Sequence, residues 1–202
     1  MLAAHIVPGY FAAAKSQFHW KPEWGRGQRA LLWATALAST VVPDLDVVYN
    51  ALFRGFFNHS TLWTHSLFVY LGIGLLWWVL RHVERCSYLR TLMGLVAVGG
   101  LAHLALDIIA HGTPLLYPVS MMMIGIAPAR VVEGGVWAYL TDPIFLLEPL
   151  TMTLAVVHWT LSRETTSRFW RFAVTTAISI LILFVVVFLL SLPDLQKVVA
   201  AG

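Results

Sequence analysis

Apolar runs of roughly spanning length recur along the chain, at 64–81, 91–110, 143–161 and 171–192, and a helix of about 20 apolar residues crosses a bilayer. A further run, 30–57, is equally apolar but is interrupted by Pro43-Asp44-Leu45-Asp46. As helix, Ala30 to Val42 rises only about 20 Å, short of the roughly 30 Å hydrocarbon core. The interruption is therefore expected inside the membrane boundary, toward the far end of that span. Residues 2–14 predict a short N-terminal helix, half-buried or re-entrant. The pattern predicts an all-α fold: a multi-pass transmembrane helix bundle of about five spans plus the short N-terminal helix. Residues 1–202 read as one membrane-embedded domain. Within it, 1–120 carry the polar positions, and 121–202 form an outer loop and two supporting spans.

Composition supports lipid as the solvent. Of the 202 residues, 59% are hydrophobic and 11% charged, against about 25% charged in soluble chains. Nine Trp and six Tyr suit interfacial aromatic belts. The net charge of +3 comes from short basic clusters between apolar runs, without the interleaved basic and aromatic pattern of a nucleic-acid surface, so nucleic acid is not an expected partner. Cys86 is the only cysteine, which excludes an intramolecular disulfide and argues against a thiolate cluster. The N-terminus lacks a charged leader region and Pro8-Gly9 breaks its apolar stretch, so it reads as retained structure.

The basic clusters also predict orientation. Lys15, Lys21, Arg26 and Arg29 precede the first span. Arg81, Arg85 and Arg90 fill one later connection, and Arg163, Arg168 and Arg171 another. The opposite connections carry Arg54 and Arg130. The positive-inside rule makes the three clusters cytoplasmic. The end of span one, the start of span two and the end of span three then face the extracytoplasmic side.

Those three places hold the ionisable residues: Asp44 and Asp46, then His59 and His65, then His103, Asp107 and His111, with His5 in the N-terminal segment. His103, Asp107 and His111 follow at i, i+4, i+8, one stripe of a helix that should end at Gly112-Thr113-Pro114. A His-x3-Asp pair alone is weak. Several ionisable groups at one depth in three spans are a stronger signal, because such groups are costly in a membrane and face a cavity, a partner or an ion. Imidazole and carboxylate donors suit a divalent metal: zinc first, in one to three ions, with manganese or iron as alternatives. His5, Asp44, Asp46, His59, His65, His103, Asp107 and His111 are the candidate ligands, with Asp44, Asp46, Asp107 and His111 also candidates for moving protons. Thr64, Ser66 and Glu148 are expected behind the ligands.

Other polar residues have blander explanations. His158 suits a helix–helix hydrogen bond, and His19 and His82 a solvated loop. Thr141-Asp142-Pro143 reads as a helix start. Glu148 also suits neutralisation of Arg130. Met121-Met122-Met123 reads as a hydrophobic loop facing lipid or substrate, and Trp77-Trp78 as belt or packing.

His5, the Pro43–Asp46 element, His59 with Thr64-His65-Ser66, His103 to Asp107, and Gly112-Thr113-Pro114-Leu115-Leu116-Tyr117-Pro118 together resemble the YdjM family, described as LexA-binding, inner-membrane-associated metal-dependent hydrolases. The resemblance covers roughly residues 1–120. It departs where the family has an Arg-Gly pair after the first His, here Ser60-Thr61, and no His follows the PDxD element. The order of His and Asp residues is also similar to that of zinc-dependent phospholipase C and related zinc nucleases, which implies phosphoester cleavage; their late His-x3-acid pair has no match after His111.

The expectation is a membrane-embedded metal-dependent hydrolase, a phosphoesterase acting on a lipid or lipid-linked substrate through a metal-activated water. The loop 112–118 would line the headgroup pocket. The rivals are an amide or ester hydrolase of lipids with the same site, a metal-ion or proton transporter, and a metal-binding regulatory membrane protein. Transport predicts ionisable groups at several depths, and here they cluster at one end.

Overall fold

The computed structural model describes residues 4–55, 63–110, 112–125, 147–162 and 167–200. The chain divides into two compact units, Met1–Val131 and Val132–Gly202. Among the described residues the regular elements are helices, with one isolated bridge between Thr113 and Ile124.

In the first unit, helix α1 (Ile6–Ser16) is followed by α2 (Arg26–Ser39), α3 (Asp46–Phe53), α4 (Leu67–Leu80) and α5 (Ser87–Ala110). Helix α5 is the centre, packing against α1, α2 and α4. The second unit is α6 (Leu147–Leu161) packed on α7 (Arg168–Ala200).

The expected break in the first span is present. Pro43 opens a 3₁₀ turn, Val42–Leu45, because its ring has no N–H to continue the ladder of α2. The chain leaves that turn into α3, and the two halves are bent by 64°. Helix α4 begins at Leu67, later than the expected 64, because Trp63–His65 form their own 3₁₀ turn and Ser66 is extended. Its 14 residues rise about 21 Å. Helix α5 with its preceding turn, Glu84–Ala110, is 27 residues long and contains an 18-residue stretch of mean hydropathy 2.0, enough to cross a membrane. The bent pair of α2 and α3 passes the same test if taken as one span, and α4 is a shorter apolar helix. The run expected at 143–161 contains α6, and that at 171–192 lies within α7.

Small residues let the helices of the first unit approach closely. A Cβ on Gly9 of α1 would lie 2.2 Å from the carbonyl oxygen of Ala36 in α2. On α5, a Cβ on Gly99 would meet Ser39 Oγ at 1.9 Å, and one on Gly100 would enter the Tyr70 ring. Ser39 Oγ donates to Leu95 O at 3.2 Å, a direct tie from α2 to α5. Ala13, Trp24, Leu32, Ala36 and Leu95 make a small apolar core.

Beside that apolar core the first unit also buries polar residues and exposes apolar ones. His5, Thr40, Asp46, Asn50, His65, Ser66, His103, Asp107 and Thr113 are buried, while Leu45, Val48, Leu52, Phe53, Leu75 and Trp78 are exposed. Helix α3 shows this within eight residues: Asp46 and Asn50, one turn apart, are buried, and Leu52 and Phe53 are 72% and 73% exposed. A surface of this kind in water would forgo roughly 25 cal/mol for each Å² of apolar area. In lipid the same surface is favourable, and the polar groups are the ones that must turn inward.

Candidate metal centre

Four segments of the first unit converge on one point. The turn Val42–Leu45 brings Asp44, and the first residue of α3 is Asp46. The turn Trp63–His65 brings His65. Helix α5 brings His103 and Asp107, one turn apart on its buried stripe with Gly99 and Gly100. The residue before α1 is His5.

One donor atom from each of Asp44, His65, His103 and Asp107 lies within 4.8 Å of all the others. His103 Nε2 is 3.1 Å from Asp107 Oδ2, 3.6 Å from Asp44 Oδ1 and 3.4 Å from His65 Nε2. His65 Nε2 is 3.5 Å from Asp107 Oδ2 and 3.8 Å from Asp44 Oδ1. Four ligands at about 2.0–2.1 Å around a tetrahedral ion lie roughly 3.4 Å from one another. The spacing fits that polyhedron better than it fits hydrogen bonds, which cluster at about 2.9 Å.

The protons on the two imidazoles point the same way. His103 Nδ1 is 2.9 Å from the carbonyl oxygen of Thr40. A carbonyl only accepts, so Nδ1 carries a hydrogen, and in the neutral ring Nε2 presents its lone pair to the centre. His65 Nδ1 faces Asp46 Oδ2 at 3.4 Å and Thr64 Oγ1 at 3.3 Å, which leaves its Nε2 in the same role. Two imidazole lone pairs and two carboxylates facing one point repel each other. A divalent cation among them reverses the sign, and the donor set (two imidazoles, two carboxylates) is of the kind that zinc, manganese and iron accept.

Around these atoms the supporting contacts are specific. Asp46 stands behind His65, on its Nδ1 side, the position from which a carboxylate fixes the tautomer of a ligating histidine. Thr64 Oγ1 donates to Pro43 O at 3.2 Å, so the turn carrying His65 is tied to the turn carrying Asp44. Tyr70, on the first turn of α4, donates from its hydroxyl to Thr64 O at 2.8 Å. Ser66 Oγ donates to Tyr117 O at 2.6 Å, and Leu67 N–H to Leu115 O at 2.9 Å. These bonds anchor the loop after α5 beside the site. That loop leaves the helix through Gly112, which has φ +82° and donates to Asp107 O at 2.7 Å. The left-handed conformation there favours glycine.

Of the expected ligands, Asp44, His65, His103 and Asp107 form the four-donor group, and Asp46 and His5 touch it from behind and beside. His59 and His111 lie outside the described residues, as do Arg130, Asp142 and the side chain of Glu148. Thr64 touches the centre through His65, whereas Ser66 serves the loop. Thr40, Tyr70 and the buried Asn50 were not expected. Thr40 acts through its backbone carbonyl, which no residue pattern encodes. Tyr70 carried only the signal of a lone hydroxyl in an apolar run.

Among curated proteins and among solved structures, none matches the chain. A family model does: that of the YdjM inner membrane protein matches residues 2–192, and the chain belongs to that family.

Proposed function

We propose that this protein is a multi-pass membrane hydrolase that uses a divalent metal, zinc in the first instance, to cleave a phosphoester in a lipid or lipid-linked substrate. The observation that carries the proposal is the convergence of Asp44, His65, His103 and Asp107 within 4.8 Å beneath an apolar exterior. A divalent cation bound there supplies a Lewis acid for a phosphoryl oxygen and lowers the pKa of water toward neutrality. His65 and His103 hold their lone pairs toward it because Asp46 and Thr40 O occupy their other nitrogens. The burial of every ligand except the partly exposed Asp44 keeps bulk water away and strengthens each charge interaction.

The surroundings support a lipid substrate. Leu45, Val48 and Leu52 of the turn and of α3, Trp63, and Met121 and Met122 of the loop are exposed within the segments that carry the site. An acyl chain lies against such side chains at no hydrophobic cost, while its headgroup reaches the buried polar centre. The basic clusters favour an extracytoplasmic opening.

The test is purified full-length protein in detergent, assayed for bound metal and for release of headgroup or phosphate from lipids of varied headgroup. Asp107→Asn and His103→Gln should both lose metal and turnover, and a chelator should abolish turnover reversibly. Full metal content in both variants overturns the centre. Full occupancy in the unmodified protein without turnover on any phosphoester or amide lipid favours a regulatory metal site instead. Saturable metal uptake into sealed vesicles favours transport.

A further inference from the structure

We propose that the Thr113 hydroxyl is a substrate-binding group, donating a hydrogen bond to a non-bridging oxygen of the phosphoryl group that the four-donor centre receives. This inference rests on the hydrolase reading above and deepens it, by giving the substrate a partner outside the ligand set.

Other hydroxyls at this end of the first unit are engaged within the protein. Ser39 Oγ bonds Leu95 O at 3.2 Å, and Thr40 Oγ1 bonds Leu37 O at 2.8 Å. Thr64, Ser66 and Tyr70 donate to Pro43 O, Tyr117 O and Thr64 O. Thr113 differs. It is 0% exposed, and its Oγ1 makes no hydrogen bond. A buried donor left unmet is costly, whereas a methyl group in the same place is not. A hydroxyl enclosed without an internal acceptor is one whose acceptor arrives with a ligand.

The main chain fixes where that hydroxyl sits. Gly112 N–H donates to Asp107 O at 2.7 Å, so the residue before Thr113 is tied to the ligand-bearing turn of α5. Leu115 O accepts from the N–H of Leu67, two residues past His65. Thr113 thus lies on the seam between the segments that carry Asp107 and His65. On its remaining side the chain returns: Thr113 N–H donates to Ile124 O and Ile124 N–H to Thr113 O, both at 3.0 Å. A Cβ on Gly125 would lie 2.5 Å from Gly112 Cα and 2.8 Å from Ile108 O, so this return presses closely on the end of α5. Held by three segments, the hydroxyl needs no rearrangement to meet a ligand, which is the condition for a useful donor in a site closed to water.

The chemistry suits a hydroxyl. A phosphoryl group in transfer spreads negative charge over its non-bridging oxygens, and hydrogen bonds to charged acceptors are the strong ones. A metal cation neutralises part of that charge, and a neutral O–H meets another oxygen. It does so without adding a second positive side chain that would compete with the metal for Asp44 and Asp107.

The experiment uses purified full-length protein in detergent, loaded with Zn²⁺, with metal content checked by elemental analysis and binding of inorganic phosphate measured by equilibrium dialysis. Thr113→Val keeps the shape and removes the hydroxyl; Thr113→Ser keeps the hydroxyl. Thr113→Val should bind phosphate at least about 10-fold more weakly, the loss for one hydrogen bond to a charged acceptor, with its metal content unchanged. Thr113→Ser should bind phosphate nearly as the unmodified protein does. Without metal or phosphate, Thr113→Val should unfold about 2–4 °C higher, because an unmet buried donor has been removed; a hydroxyl with a purely structural role gives the opposite sign. Equal phosphate binding by all three proteins, or a Thr113→Val protein that is less stable or misfolded, overturns the role of Thr113 and leaves the phosphoester reading standing. No phosphate bound by the unmodified, metal-loaded protein refutes that reading, and the role of Thr113 with it. Displacement of the phosphate by a short-chain phosphatidylglycerol and not by glycerol phosphate supports a lipid as the source of the phosphoryl group. Displacement by glycerol phosphate alone overturns the lipid and keeps the hydroxyl.

Discussion

Asp46 separates a ligand from a group that orients a ligand. Its Oδ2 lies 3.4 Å from Nδ1 of His65, while Nε2 of the same ring faces the other donors. Asp46→Asn keeps the shape and one acceptor oxygen but removes the charge that polarises the ring. Outer-shell partners of this kind are worth about 10–100-fold in metal affinity, or roughly 1.4–2.7 kcal/mol. Two features put the Asn variant at the low end. The distance exceeds that of a strong charged hydrogen bond, and Thr64 Oγ1, 3.3 Å from the same nitrogen, remains as an alternative acceptor. The expectation is about 10-fold weaker binding for Asp46→Asn and about 100-fold for Asp46→Ala, which also leaves a void at a position 2% exposed. Competition against a chromophoric chelator measures both, with thermal unfolding of the metal-free proteins as the control for folding. If Asp46→Asn abolishes binding as completely as Asp107→Asn, Asp46 is a direct ligand and the orienting role is wrong. Unchanged affinity in both Asp46 variants would show that it does neither.

Packing makes equally specific predictions. Gly9→Ala places a methyl 2.2 Å from Ala36 O, a backbone atom that cannot rotate away, so the variant should lose about 1–3 kcal/mol in thermal or denaturant unfolding. Gly27→Ala, with nothing within 4 Å of its Cβ, should be neutral or gain up to about 1 kcal/mol from helix propensity; equal effects of the two would refute the close approach of α1 and α2. Gly100→Ala drives a methyl into the Tyr70 ring and so disturbs the Tyr70–Thr64 bond that holds the His65 turn. It should weaken metal binding at least several-fold, whereas Gly72→Ala, in open space, should not. For orientation, an impermeant maleimide applied to right-side-out vesicles should spare Cys86 and label Met122→Cys in a Cys86→Ser background, since Cys86 lies within the basic cluster Arg81, Arg85 and Arg90 and Met122 is 61% exposed; the opposite labelling reverses the proposed sidedness.

Much of this centre was legible in the sequence because lipid makes ionisable residues conspicuous. Asp44, His65, His103 and Asp107 stand out against apolar surroundings, and the one-turn spacing of His103 and Asp107 puts them on one helix face. The break at Pro43 followed from a missing N–H. What the pattern could not give was direction. Asp46 and Asp44 are two residues apart and chemically identical, yet one faces the four-donor group and the other the back of His65. The difference is made by the 3₁₀ turn that ends between them and the helix that begins at Asp46. Nor could composition give the start of α4. Residues 64–66 are as compatible with a helix as those that follow, and only the bonds from Thr64 to Pro43 and from Ser66 to Tyr117 show why they leave it.

The apolar exterior around the buried polar site explains why so much rests on backbone and hydroxyl contacts. A soluble site can recruit water to satisfy a spare donor. Here Thr40 O, Pro43 O, Thr64 O, Leu115 O and Tyr117 O, all in the turns and loops at the site, are met by His103, Thr64, Tyr70, Leu67 and Ser66. Each irregular segment that carries a ligand exposes carbonyls that lipid cannot solvate. The groups that satisfy them, four side chains and the Leu67 N–H, are therefore the ones that fix the ligand geometry, and the cost of leaving regular helix is met by the same bonds that hold His65 and His103 in position. On this argument Thr64→Val, which keeps the shape and removes both the bond to Pro43 O and the acceptor beside His65 Nδ1, should lower stability and metal affinity together. A variant that lost one without the other would show that the two are held separately.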